Sequence, residues 1–226
     1  TYKGKGLGSI GHAGGFSFNQ FKIIGAGEGG AMVTNDLTGY DKAMVHHDGG
    51  CVFRKHADKV STPFFAGTNF RVSEITGAIL CEQLKQLPTI LKRLRARQAA
   101  IREVLSKQFT LSPTHDVEGD CGTATPILFD TEAEANAFLA SRQETGPFWP
   151  YRPVDTGRHV YTEWSPILDK HGAWCDKANP YATARKSLKY SPDMCASSLA
   201  IMSRTVVLLT PYEITLKDLR AAIKKF

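Results

Sequence analysis

The sequence predicts a mixed α/β chain in two parts, residues 1–108 and 109–226. Three observations predict it. A glycine-rich opening stretch carries two short strand-like runs, Gly15–Phe18 and Ala31–Thr34. Ile75, Ile79, Leu87, Ile90, Leu94 and Ile101 then recur at helical spacing. From Thr123 onward, strand-like runs alternate with helices that are apolar on one side, the pattern of a small α+β domain.

Asn35-Asp36 ends the second strand, and Thr38 to about His47 reads as a helix broken by Asp48-Gly49-Gly50. Residues 51–72 read as a long loop punctuated by Pro63 and Gly67. Ser73 is placed to cap the long helix, which ends near Gln108. Pro88 interrupts its pattern, so a kink or two abutting helices is expected there. In the second part, Thr123–Phe129 reads as a strand and Thr131–Glu144 as a helix with Ala and Leu spacing. Arg204–Leu209 is an apolar, β-branched strand, and Thr215–Phe226 a terminal helix. Residues 145–195 read as irregular, with six prolines among aromatics, and loops of that length usually carry function or lack order. There, Cys195 is expected to lead into a helix, and Trp149, Trp164 and Trp174 to pack the loop.

Composition narrows the function. At 226 residues and 42% hydrophobic, the chain can bury a sizeable core. It has no apolar run of about 18 residues, so no membrane span is expected. It opens on Thr1-Tyr2-Lys3-Gly4 without a signal-peptide pattern or an initiator Met, and reads as the inside of a longer polypeptide. Five scattered cysteines without a CxxC pair argue against a zinc site or a disulfide framework and for a reducing cytoplasm. The net charge of +6 is concentrated in Lys85, Lys92, Arg93, Arg95, Arg97 and Arg102. These read first as a solvated helix face and second as a rim for an anionic substrate. No aromatic–basic ladder accompanies them, so nucleic-acid binding is not expected. Adjacent His46 and His47 face different ways on a helix and do not read as a metal pair.

Lys22 is the residue with the most chemical content. It lies between the strand-like Phe16-Ser17-Phe18 and the run Gly25-Ala26-Gly27-Glu28-Gly29-Gly30. The run is neither a Walker A loop nor a GxGxxG turn. One reading is an ordinary turn beside a surface charge. The other is a covalent cofactor site for pyridoxal 5′-phosphate (PLP). PLP needs an amine for its aldehyde, hydrogen-bond donors for its phosphate and a partner for its ring nitrogen. Lys22 offers the amine, Ser17 a hydroxyl and Asn19 an amide. The glycines would let the backbone come close to a ligand.

Phe16-Ser17-Phe18-x-x-x-Lys22, then Gly27-Glu28-Gly29-Gly30-Ala31-Met32-Val33-Thr34-Asn35-Asp36, then Gly67-Thr68-Asn69-Phe70-Arg71-Val72-Ser73-Glu74 with Ala78 and Gln83-Leu84, resembles the DegT/DnrJ/EryC1/StrS family of PLP-dependent sugar aminotransferases. The resemblance implies a PLP-dependent transferase of fold type I, here a partial large domain with the connecting long helix and a small α+β C-terminal domain. It implies Lys22 as the Schiff-base lysine and proton carrier, and Ser17 as a phosphate ligand. Asn69, with Arg71 as a second candidate, would reach the phosphate of the neighbouring subunit in a homodimer with a shared site. Sugar dehydratases of this type hold histidine where Lys22 stands, so the lysine favours transamination from an amino acid such as glutamate. His47-Asp48-Gly49-Gly50-Cys51 and Arg152–His159 are similar to members that aminate C8 of an oxidised 3-deoxy-octulosonate for surface polysaccharide. Nucleotide-linked keto-hexoses, or a non-catalytic role on the same fold, are the alternatives. Arg158 and His159, with Arg152, are then candidates for a substrate carboxylate, against the plainer reading of a charged surface loop. His12 stands where the family commonly has Asp. The ring-nitrogen aspartate and the ring-stacking residue are expected before Thr1.

Overall fold

The structure, a computed structural model, describes residues 1–51, 59–142, 146–157, 160–172, 175, 177, 179–182, 184 and 189–226. Two compact units part inside the long helix. One comprises Thr1–Lys92 with His115–Asp120, the other Arg93–Thr114 with Cys121–Phe226.

In the first unit, β1 (Gly14–Ser17) and β2 (Gly30–Val33) form an antiparallel pair, with Gly14 opposite Val33 and Ser17 opposite Gly30. α1 (Leu37–His47) follows at once. Asp36 starts it by accepting the N–H groups of Thr38 and Gly39 at 3.1 and 3.0 Å, which satisfies donors a first helical turn leaves open. Asp41 on α1 is 2% exposed and receives both the N–H and the hydroxyl of Ser61, at 2.9 and 2.6 Å. The hydroxyl bond first, then the N–H bond, holds the Asp41 carboxyl below the usual carboxylate range. Val45 is the buried apolar side chain of this unit among the described residues. Met32, Val33, Tyr40 and Phe70 are all exposed. A two-stranded sheet without a covered face is marginal in water.

α2 (Glu74–Leu105) is one continuous helix of 32 residues. Ser73 caps it, its Oγ accepting the N–H of Thr76 at 3.1 Å. Two abutting helices at Pro88 are therefore corrected to one. Proline deletes the bond to the carbonyl four residues back. Here that carbonyl belongs to Leu84, and both Leu84 and Pro88 lie on the exposed side, where water can serve the freed oxygen. The basic run on this helix is also corrected, because it is not a uniformly solvated face. Arg97 is 6% exposed and donates to the carbonyl of Ile214 at 2.7 Å. Arg93 donates to the Tyr212 hydroxyl at 2.9 Å and lies 4.3 Å from the centre of that ring. Arg102 donates to the carbonyl of Ser112 at 3.2 Å. Long stems and several donors let arginine cover apolar surface while its head satisfies carbonyls.

The second unit is built on an antiparallel four-stranded sheet. Its strands are β3 (Thr110–Leu111), β4 (Ala124–Leu128), β5 (Pro150–Tyr151) and β6 (Thr205–Leu209), in the order β3-β4-β6-β5. α3 (Glu132–Arg142) opens on a reciprocal cap. Thr131 Oγ1 accepts the N–H of Glu134, and the Glu134 carboxylate accepts the N–H of Thr131, both at 3.2 Å. α4 (Ser165–Leu168) and α5 (Ala196–Ser203) precede β6, and Cys195 stands at the head of α5 as expected. α6 (Leu216–Ile223) closes the unit, with Thr215 accepting the N–H of Asp218 at 3.1 Å. Ile101, Leu105, Ile127, Phe138, Leu208 and Ile223 meet in one core with Phe148 and Phe226. The stretch 145–195 is not wholly irregular. It supplies β5, two 3₁₀ turns at Pro153–Asp155 and Tyr161–Glu163, and α4. Pro150 fits in β5 because that strand is an edge, where a missing N–H costs the sheet nothing.

Candidate functional site

Ser17, Asn19 and Lys22 come together on one hairpin. β1 and β2 continue as a tapering ladder: Phe18 N–H donates to the carbonyl of Gly29 at 2.9 Å, Gln20 to Gly27 at 2.9 Å, and Ala26 to Phe18 at 3.0 Å. Lys22 sits in the loop this ladder closes. Its N–H donates to the carbonyl of Asn19 at 2.9 Å, and its side chain is exposed. Among the described residues, its amine takes part in no ion pair or hydrogen bond.

Asn19 organises that loop. Its Oδ1 accepts the N–H of Phe21 at 3.0 Å, while its Nδ2 donates to Glu28 Oε1 at 2.9 Å across the hairpin. The amide expected to serve a ligand is therefore engaged within the loop itself. Ser17, exposed at the end of β1, accepts the N–H of Asn19 at 3.3 Å, which leaves its own hydroxyl proton to donate outward. The glycine run has an internal cause at two positions. A Cβ on Gly25 would lie 2.7 Å from the carbonyl oxygen of Asn19, and one on Gly30 would lie 2.8 Å from that of Phe16. These glycines let the hairpin close on itself. Gly27 differs: it has φ +86° and open space around it.

Asn69 lies on a second segment, in an isolated antiparallel bridge with Asp48 just after α1. Its Oδ1 accepts the N–H of Arg71 at 3.1 Å. Its side chain is exposed, and its Nδ2 has no partner among the described residues. Arg71, the second phosphate candidate, donates from Nη1 to Asp48 Oδ1 at 2.6 Å. Sequence reasoning missed Asp48, which is 1% exposed, because a turn-forming Asp-Gly-Gly gives no hint of a partner 23 residues on. A cavity of about 530 Å³ in the same unit is lined by Met32, Tyr40, Met44, His47, Phe70 and Val72 among others. None of Ser17, Asn19, Lys22 and Asn69 lines it.

Arg158 and His159 lie outside the described residues. Arg152 is described, and its role as a substrate contact is corrected. It is 8% exposed and its guanidinium makes four hydrogen bonds within the unit. Nε and Nη2 grip both oxygens of Asp155 at 2.8 and 2.7 Å, while Nη1 donates to Glu132 at 2.7 Å and to the carbonyl of Ser203 at 3.1 Å. Arg152 thus ties the Pro153–Asp155 turn to α3 and α5. Arg152→Gln is expected to cost about 1–2 kcal/mol in denaturant midpoint. That is less than the roughly 3–5 kcal/mol of a fully buried pair, because the abandoned Asp155 and Glu132 are 47% and 55% exposed and regain water. A changed KM at unchanged stability would instead return Arg152 to the substrate.

Among the described residues, no group of three or more His, Cys, Asp or Glu is placed to hold a metal, and no helix is long and apolar enough to cross a membrane.

Comparison with known proteins agrees with the motif blocks. The model of the DegT/DnrJ/EryC1/StrS aminotransferase family matches residues 1–155. The chain is 39% identical over 95 residues to GDP-perosamine synthase of Escherichia coli O157:H7, covering 42% of this chain and 25% of that protein. It is 30% identical over 175 residues to the L-glutamine:2-deoxy-scyllo-inosose aminotransferase of Streptoalloteichus tenebrarius, covering 70% and 41%. Helicobacter pylori PseC, an aminotransferase involved in the biosynthesis of pseudoaminic acid, superposes with a TM-score of 0.66 at 19% identity, over 100% of this chain and 56% of that one. The fold is that of the PLP-dependent aminotransferases of fold type I. The chain spans less than half the length of the two curated relatives.

Proposed function

The chain belongs to the DegT/DnrJ/EryC1/StrS aminotransferase family, and from that premise we propose that it is the lysine-bearing part of a PLP-dependent aminotransferase that moves an amino group from an amino acid to a keto-sugar. The observation that carries the reading is Lys22, an exposed and unpaired amine in the hairpin loop closed by Asn19, with the Ser17 hydroxyl at the end of the adjoining strand. The donor set fits the cofactor. A primary amine matches an aldehyde, and the outward hydroxyl of Ser17 and the open amide of Asn69 match a phosphate.

PLP, when bound, supplies the aldehyde and the electron sink for the transferred amino group. Lys22 would hold the cofactor through its Nζ and, once free, would be the base for the proton at the substrate carbon. Ser17 Oγ donates to the phosphate. Asn19 serves the cofactor by fixing the Lys22 turn through its bonds to Phe21 and Glu28. Asn69 Nδ2 would reach the phosphate of the second subunit in a homodimer, which would make the site a shared one. Lysine rather than histidine at position 22 supports amination over dehydration, since histidine offers a base without a primary amine.

The acceptor is a keto-sugar. An 8-oxo-3-deoxy-octulosonate is the first to try, on the strength of residues 47–51 and of Arg158 and His159, which would meet its carboxylate. A nucleotide-linked keto-hexose is the second, since a relative is named for GDP-perosamine. The reaction is placed in the cytoplasm, where surface-sugar precursors are built.

Incubating the full chain with PLP is expected to give an absorbance band that borohydride abolishes, leaving a stable adduct that peptide mapping finds on Lys22. Glutamate should discharge the band, and a keto-sugar should restore it. A protein with no band and no adduct on Lys22 does not run this reaction.

A further inference from the structure

Asn69, the proposed phosphate donor, sits in residues 60–73, which carry no helix or strand ahead of α2. Such a segment holds a donor in place only if something else fixes it. Three contacts do so, two at the carbonyls of His46 and His47 and the third at Asp48. The N–H groups of Thr68 and Phe70 donate to the carbonyls of His46 and His47, both at 2.8 Å. They thereby satisfy acceptors that the last turn of α1 leaves open. Gly67 permits the approach, since a Cβ there would lie 2.6 Å from both Gly50 N and the carbonyl oxygen of His46. Arg71 then closes the loop, its guanidinium 2.6 Å from Asp48 Oδ1. Asp48 itself pairs in register with Asn69.

The burial of the acid makes the arrangement informative. Asp48 is 1% exposed, whereas the Arg71 side chain is 36% exposed. A carboxylate shut away from water is held by its charged and hydrogen-bonding partners; Arg71 is one of them, and the short charged bond fixes its guanidinium in place. Arg71 N–H in turn holds Asn69 by its Oδ1 at 3.1 Å. With its oxygen fixed, the Asn69 amide presents its Nδ2 in one orientation instead of two.

We propose that Asp48 is a positioning residue for the cofactor phosphate, acting through Arg71 to orient the amide of Asn69. The inference rests on the aminotransferase reading above and adds to it a residue that touches neither cofactor nor substrate. Residues that orient the ligands of a metal typically change affinity by about 10- to 100-fold when lost, and an effect of similar size is expected for this support.

The test is a PLP titration of the full chain, with thermal melts of each variant without PLP and borohydride trapping on Lys22. Asp48→Asn keeps the shape and an acceptor oxygen while removing the charge. It should weaken PLP binding by about tenfold or more, yet still give the Lys22 adduct at saturating PLP. Placed on Asn69→Ala, it should add less than about twofold, because its effect passes through Asn69. Arg71→Gln breaks the same link from the exposed side and serves if Asp48→Asn does not fold. It too should be non-additive with Asn69→Ala. A purely structural Asp48 would lower the melting temperature with PLP affinity unchanged, and an Arg71 that binds phosphate by itself would give additive losses. Either result overturns the proposal while the Lys22 adduct stands. Absence of the adduct in the unmutated chain removes the aminotransferase reading and this inference with it.

Discussion

Lys22→Ala is expected to lower amino-group transfer by roughly 10⁴-fold or more, with the fold unchanged. Loss of a positioned proton carrier alone is typically worth about 10²- to 10⁴-fold. Lys22 is proposed to fill that role and to be the covalent attachment point, so the upper end of the range is the fair expectation. The fold should not notice. The side chain is exposed, it makes no bond within the described residues, and what the loop needs from position 22 is the backbone N–H that donates to Asn19, which alanine keeps. Surface changes of this kind fall within about 0.5 kcal/mol. Steady-state turnover, the PLP absorbance band and a thermal melt together check this. Lys22→His sharpens it. Histidine restores a base but no primary amine, so PLP should remain bound without a borohydride-stable adduct, and transamination should stay lost. Turnover within tenfold of the unmutated chain in Lys22→Ala would falsify the assignment.

The features legible in the sequence were those with a period or a cap. α1, α3, α6 and the strands β1, β2, β4 and β6 lie within a few residues of where apolar spacing and turn residues put them, and α2 starts at the Ser73 cap. β3 and β5 were not legible, because a two-residue strand shows no alternation and exists only through its neighbours, Leu128 and Ile127 for one, Leu208 and Val207 for the other. Pro88 misled for the opposite reason: its local cost is real, but the helix on both sides and the exposed Leu84 carbonyl absorb it.

The site divided in the same way. That Ser17, Asn19 and Lys22 lie on one hairpin could be read from a short motif, because residues so close in sequence between two strand-like runs share one loop. Arg152 and Asp48 could not. Whether an arginine meets a substrate or braces a turn depends on where Glu132, Asp155 and the Ser203 carbonyl end up, up to 51 residues away. Nor does an Asp-Gly-Gly turn announce that its acid is buried against Arg71.

The second large effect is on stability. Leu208→Ala is expected to cost about 3–4 kcal/mol. Leu208 lies on β6, an inner strand of the four-stranded sheet, has 0% exposure and belongs to the core that gathers Ile101, Ile127, Phe138 and Ile223. Three of those neighbours come from helices and one from β4, so the space left by the lost side chain is bounded on several sides by elements that cannot collapse inward together. The cavity cost therefore adds to the transfer cost. For a unit of this size, the melting temperature should fall by roughly 10 °C. Leu209→Ala is the internal comparison. It is the next residue on the same strand, points to the other face and is 43% exposed, so its loss should be about 1 kcal/mol or less. Denaturant melts of both variants without PLP check the ordering, with the slope unchanged if only stability has moved. Equal losses at 208 and 209 would mean that the core is not centred on the inner face of β6. A small loss at 208 alone would mean that it is packed loosely enough to refill.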